Sequence, residues 1–461
     1  MRWVAVSSLV AGIAGYVVIL FATTTLGAER FEVFNVFWGL FFTLQGIVQG
    51  LMHETTRGVR ALARPEDVVS ETDELEGPDG EIVEGYVEGQ EPTSREELEA
   101  AAEATEIAAR AGEARPIAIG LAAALVVAGL MLATSVLWAP VILPEPQRAL
   151  GVALIVIAGG MTTVQAVFAG LLSGVGRWRA YSVLMMIEAV VRVAVAAVAA
   201  ALGDPVAGFL YATVAGVVAG PLIMLTPAGR AVLRAHTDVG AGRFLRNGIQ
   251  AMLAASAAAV LVVGFPVLIK MTKPDADPVL LSNLLLAVTL TRAPILMPIT
   301  SFQNAIVVYF VDRRERGRSV VLRPVAAVLA ISAVGALLAW LVGPPIIELM
   351  GRGFSVGGQV LAALTFVAGL TGCLFISGSA VLARDRHGVY VAGWWIASAI
   401  ATAVLVLVEQ PTAAVVLALG IGPLLGSAFH VLVGMRDRGA AERAGARPAE
   451  PGRMSEVAPS V

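Results

Sequence analysis

Long apolar runs, many of them past the roughly 18 residues that suggest a bilayer crossing, alternate along this chain with short polar connections. The pattern predicts an all-α polytopic membrane protein with about twelve spans, near 3–25, 31–58, 116–140, 148–173, 180–202, 206–226, 246–270, 279–311, 321–343, 357–383, 388–408 and 412–434. A basic connection after the sixth span, PAGRAVLRAHTDVGAGRFLRNG, divides the chain into two six-helix lobes, 1–226 and 227–434, followed by a polar tail at 435–461 expected to be disordered. Each half starts with a helix poor in charge and a long second helix with polar residues, then a basic segment. Six spans return the chain to its starting side, so the repeat is parallel, about an axis along the membrane normal, with a binding cavity expected between the halves.

Polar residues inside the apolar runs are the candidate chemistry. In the second span Asn35, Gln45, Gln49, His53 and Arg57 fall within about a third of the helical circumference, at 100° per residue, which predicts one wet or hydrogen-bonded face. Gly46 and Gly50 lie beside that stripe at a spacing that admits a close neighbour helix. His53 suits either an interhelical hydrogen bond or a proton carrier, and Glu54 with Arg57 forms a local pair at the interface. In the fifth span Glu188 and Arg192 stand four residues apart on one face. They make either a neutralising structural pair or a pair that opens to a charged substrate or ion, and are the candidates for ion coupling.

The eighth run, VLLSNLLLAVTLTRAPILMPITSFQNAIVVYFV, carries Arg292 near its middle, then Pro294, Pro298, Gln303 and Asn304. A charge at the bilayer centre costs about 2.5–3.5 kcal/mol on insertion scales, so Arg292 is expected to face protein or water. The prolines each remove a backbone donor, so the segment should bend where neighbours or a cavity satisfy its carbonyls. Two readings follow: the lining of a transport cavity, or a kinked helix whose arginine meets a buried acid for assembly. The first span, Trp3 to Thr25, has no charge, and the outer connection GPPIIELMGRGFSVGG reads as a simple loop.

Composition adds the class. With 57% hydrophobic residues, 15% charged and a mean hydropathy of +0.81, the chain is far from soluble proteins. A cytoplasmic N-terminus puts 25 of the 32 Lys and Arg on cytoplasmic segments and five outside (Arg30, Arg148, Lys270, Lys273, Arg352), which predicts both termini in the cytoplasm of a cytoplasmic-membrane protein. The first span is kept as a helix rather than a cleaved signal, its only early charge being Arg2. Net charge is −3, yet the insert at 66–115 is strongly acidic, with 17 acids against Arg95 and Arg110 between Glu66 and Glu113. The basic remainder suits anionic lipid headgroups. The insert's first half is expected to be disordered. Ser94 to Glu97 then fits a capping box opening a cytoplasmic helix that ends near Gly112, either a solvated linker or a dock for a basic partner such as a polysaccharide synthesis enzyme.

Several classes are disfavoured. No G-x-x-x-x-G-K-[ST] motif is present, and four scattered histidines with the lone Cys373 make no metal spacing and no intramolecular disulfide. Neither an enzyme, a cofactor nor a nucleic-acid partner is expected.

The segments LGAERFEVFNVFWGL, LLSGVGRWRAYSVL, LTRAPILMPITSFQNAIV, IIELMGRGF and AVLARDRHGVYVAGWW, in that order, resemble the polysaccharide-transporter branch of the flippase superfamily that also holds multidrug antiporters and the lipid II flippase. The resemblance implies a V-shaped pair of six-helix lobes that opens alternately to each side and moves a lipid-linked saccharide. By that match Arg292 would face the cavity and hold the lipid diphosphate with its fork of donors, while Gln45, Gln49, His53 and Asn304 would meet sugar hydroxyls. Glu32 departs from the aromatic-glycine pattern common there, and the acidic insert is unusual. The first-helix arginine and extra terminal helices of the lipid II branch are missing. Two other functions stay open: an ion-coupled antiporter of drugs or metabolites using Glu188, whose multidrug relatives often carry an acid in the first helix, and a membrane scaffold for polysaccharide synthesis enzymes docked through the insert.

Overall fold

Gly27 joins the first two spans without a loop. The computed structural model, which describes residues 2–62, 114–202, 205–313 and 319–434, has a continuous helix Arg2–Leu62 with one non-helical residue, Gly27, at φ 63° and ψ −179°. Only glycine adopts that backbone cheaply, and a Cβ there would lie 3.2 Å from the carbonyl oxygen of Arg352. The connection between the spans expected at 3–25 and 31–58 is therefore one kinked residue.

The remaining spans are Pro116–Ile142, Glu145–Gly174, Trp178–Ala201, a sixth made of Pro205–Ala215 and Ala219–Met224 with a 3₁₀ turn between them, a seventh of Ala241–Val262 and Phe265–Thr272, an eighth of Pro278–Ser301 and Gln303–Val311, then Ser319–Leu349, Gly358–Leu382, His387–Leu407 and Pro411–Gly434. Eleven of the described helices are long and apolar enough to cross a membrane, and one of them, Val6–Leu62, is 57 residues long. At 1.5 Å per residue that helix is about two crossings, divided by Gly27, so twelve spans result, as the hydropathy pattern predicts. The chain is a multi-pass, all-α membrane protein of two lobes. Among the described residues the one β feature is the isolated bridge between Ala114 and Thr237. The acidic insert with its expected helix, apart from its last residues, and the C-terminal tail lie outside the described residues, as does the side chain of Asn304.

The breaks in the eighth and seventh spans relate differently to their prolines. In the eighth, Pro294 and Pro298 sit inside Pro278–Ser301 without ending it, and the interruption falls at Phe302, whose N–H still reaches the carbonyl of Pro298 at 3.0 Å. In the seventh, Pro266 follows the interruption at Val263 and Gly264 and offers no N–H to the carbonyl of Val262, four residues back.

The lobes meet along the second and seventh spans. A Cβ on Gly46 would lie 2.9 Å from that of Ala259, and one on Gly50 would collide with the backbone of Ala251 and Met252. The glycine spacing thus serves the close approach it predicts. At the face carrying the chain termini, here the terminal face, the carboxylate of Glu54 accepts two hydrogen bonds from Arg57, at 2.7 and 2.8 Å, and one from Asn247 of the seventh span at 3.0 Å. Arg57 also pairs with Asp238 of the connection between lobes at 2.9 Å.

Burial changes along the seam. On the first span Val18, Ile19, Ala22 and Leu26 are buried toward the far face, while Trp3, Val6, Leu9 and Ile13 toward the terminal face are exposed. The eighth span is similar: Leu281 to Val288 are all buried, whereas beyond them buried Ile295, Leu296 and Ile299 alternate with exposed Met297 and Phe302. These spans touch across the seam, where a Cβ on Gly12 would come 3.0 Å from the terminal methyl of Met297. On both seam helices burial is more continuous toward the far face than toward the terminal face.

Candidate functional site

A polar cavity of about 340 Å³ opens among the first, second, fourth and fifth spans. Its floor is Glu188, which the notched first span, with Ala11, Gly12 and Gly15, leaves room to reach. Both carboxylate oxygens are used. Oε1 accepts from Arg192 at 2.8 Å, one helical turn along the same face, and from the Gln45 amide of the second span at 2.9 Å. Oε2 accepts from the Gln165 amide of the fourth span at 3.0 Å, and the Gln165 carbonyl accepts from the Gly220 N–H at 3.2 Å. Three helices therefore converge on one acid, and each donor is itself anchored or aimed at it.

Arg192 is buried, as a cation in a membrane helix must be to avoid hydrocarbon. Its Nε donates to the Thr213 carbonyl at 3.3 Å, and its guanidinium lies 4.9 Å from the ring centre of Phe42 and 5.9 Å from that of Trp38. The aromatic faces add attraction for the cation where water is scarce. Trp38 and Phe42, their rings 4.5 Å apart, also line the cavity beside Gln49. The Gln49 amide makes no hydrogen bond to protein among the described residues, leaving a free donor and acceptor at the wall. Such a chamber offers amides, two tilted aromatic rings and an opposed pair of charges, the kinds of groups that hold hydroxyls, apolar faces and anions.

The structure thus brings together Gln45, Gln49, Glu188 and Arg192 and leaves three candidates elsewhere or undescribed. His53 is exposed one turn beyond Gln49 and does not line the cavity. The Asn304 side chain is not described. Arg292 is buried away from the cavity: Nη1 donates to the carbonyls of Val262 and Leu261 at 3.3 and 3.4 Å, and Nη2 to Leu261 at 3.4 Å. Its guanidinium sits 5.9 Å from the Phe265 ring centre. These are carbonyls at the end of Ala241–Val262, one of them orphaned by Pro266, and a cation at a helix C-terminus is favourably placed. The expected cavity lining is corrected to a cap on the broken seventh span, and the expected buried acid is replaced by backbone oxygen.

Sequence reasoning missed Gln165, Trp38, Phe42 and Thr162. Gln165 was open to discovery as the one side-chain amide in the fourth span after Gln147, on the helix face shared with Thr162.

No protein-family model matches the chain. "Uncharacterized protein Rv3630" of Mycobacterium tuberculosis (strain ATCC 25618 / H37Rv) is 34% identical over 435 residues, 93% of this chain and 90% of the relative. "Uncharacterized protein Rv1510" of the same strain is 35% identical over 419 residues, 90% of this chain and 87% of the relative. In fold, the chain is similar to a structure described as "Inward-facing conformation of a multidrug resistance MATE family transporter of the MOP superfamily", at a TM-score of 0.67 and 12% identity, covering 94% of this chain and 96% of the other. It matches the structure described as the outward-facing conformation of such a transporter at 0.58 and 13% identity, with 96% of each chain covered.

Proposed function

This chain belongs to one family with the mycobacterial proteins Rv3630 and Rv1510 and has the fold of the MATE transporters, and we propose that it translocates a lipid-linked saccharide across the cytoplasmic membrane by alternating access. The observation that carries the proposal is the chamber around Glu188: amides of Gln45, Gln49 and Gln165, the adjoining rings of Trp38 and Phe42, and an arginine whose one charged partner is a displaceable carboxylate. Sugar hydroxyls pair with the amides, and the rings give a sugar face an apolar platform. An anionic diphosphate competes with Glu188 for Arg192, because arginine pairs with phosphate through the same two-pronged geometry. Glu188, released, then attracts a cation, which would link cargo entry to ion movement.

In this reading the lobe boundary is at 226/227, the termini are cytoplasmic, and the loading state is the one that opens at the terminal face. The higher score against the inward-facing MATE structure supports that direction. Docking of synthesis enzymes on the acidic insert would place cargo production beside the open mouth. The uncharged first span and the three-donor clamp on Glu188 weigh against a lone protonatable acid of the drug-antiporter kind.

The test is deletion in the native host with surface saccharide and drug tolerance scored in parallel. Loss of surface saccharide at unchanged drug tolerance is expected. Intact surface saccharide with lost drug tolerance would favour the antiporter.

A further inference from the structure

At the far face an ion pair crosses the seam. Glu32, at the start of the second span, has Oε1 2.6 Å from Nζ of Lys270 near the end of the seventh, with the side chains 7% and 15% exposed. The two charges come from opposite lobes. The pair is accompanied by two backbone ties over the same seam: the Glu32 N–H donates to Oγ of Ser282 on the eighth span at 2.9 Å, and the Ala28 N–H donates to the Arg352 carbonyl at 3.0 Å. Gly27 allows the second of these, since its kink lets the Arg352 loop come within contact. Residue 32 is also where the chain departs from the pattern of the branch it resembles.

We infer that Glu32 and Lys270 form a reversible latch that holds the far face closed and must part before the transporter can open there. The inference rests on the alternating-access reading above. A pair serving only assembly would be sealed in apolar surroundings, where separating the charges is prohibitive. This pair instead forms part of the wall of a cavity of about 780 Å³ that Glu29, Arg30, Gln147 and Asp275 also line. Lys270 already extends toward the Pro274 carbonyl, at 3.4 Å, on that wall. When the lobes separate, each charge moves into a polar space with other partners, so the pair favours the closed state without making opening impossible. The ties at Ser282 and Ala28 are single hydrogen bonds that water can replace.

The test uses full-length protein in intact cells with Cys373→Ser and a reporter Leu281→Cys, at a position fully buried beside Ser282 while the latch is shut. Reaction with a membrane-impermeant maleimide measures far-face opening and needs no cargo. Glu32→Gln is expected to raise the labelling rate roughly tenfold, and Lys270→Gln to do the same. The charge-reversed double variant Glu32→Lys with Lys270→Glu is expected to return labelling toward the parent, which an unfolded protein would not do. Unchanged labelling in the single variants, or equally fast labelling in the reversed pair, would overturn the latch. Cargo movement by the wild type, measured separately, decides the transport reading independently.

Discussion

The amide of Gln45 reaches the carboxylate of Glu188 at 2.9 Å across 143 residues of sequence, tying the second span to the fifth. Because Arg192 and Gln165 converge on the same acid, this contact organises the first lobe's interior as well as its cavity.

Removing one member of the charged pair should therefore cost more than removing both. Glu188→Ala leaves Arg192 buried with the Thr213 carbonyl and two aromatic rings, and should lose about 3–5 kcal/mol of stability in detergent. The double variant Glu188→Leu with Arg192→Met should regain most of that stability while transport stays lost. Thermal unfolding of the three proteins checks the first part, and a transport assay the second.

Arg292 should behave as a structural cap. Arg292→Ala exposes the carbonyls of Leu261 and Val262 without partners and should destabilise by about 1–3 kcal/mol. In a Pro266→Ala background, where an N–H returns opposite Val262, the same substitution should cost less. A thermodynamic cycle over the four proteins gives the coupling. A phosphate-binding role for Arg292 predicts instead a transport defect with no dependence on residue 266.

The glycines of the second span set the distance between lobes. Gly50→Leu should destabilise by about 1–3 kcal/mol and impair transport, since any side chain there meets the backbone of Ala251 and Met252. Gly129→Ala, in open space on the third span, should be neutral or slightly stabilising, by up to about 1 kcal/mol. Unfolding temperature and expression level separate the two.

What was readable beforehand follows the range of the interaction. Span number and the Glu54–Arg57 and Glu188–Arg192 pairs are set by hydropathy or by neighbours three and four residues apart, so one chain displays them. The partner of Arg292 depends on a break created by Pro266, 26 positions earlier and on another helix, which periodicity cannot reveal. The segment GPPIIELMGRGFSVGG reads as a plain loop in sequence, yet its first residues, to Leu349, continue the helix from Ser319, and the rest docks through the Arg352 carbonyl, not a side chain. Asn35 and His53 shared the polar stripe with Gln45 and Gln49, yet only the middle of that stripe faces the cavity; Asn35 is buried below it and His53 lies exposed past its edge.

The central claim is that the Glu188 chamber receives a saccharide headgroup on a diphosphate lipid. Purified protein in proteoliposomes, supplied with a labelled polyprenyl-diphosphate oligosaccharide, gives the direct measurement: the rate at which label crosses the bilayer. Wild-type protein should move it, and Gln45→Ala with Gln49→Ala should slow it at least about tenfold. Wild-type liposomes that pass no more label than protein-free ones, while exchanging a cationic drug for ions, would contradict the account.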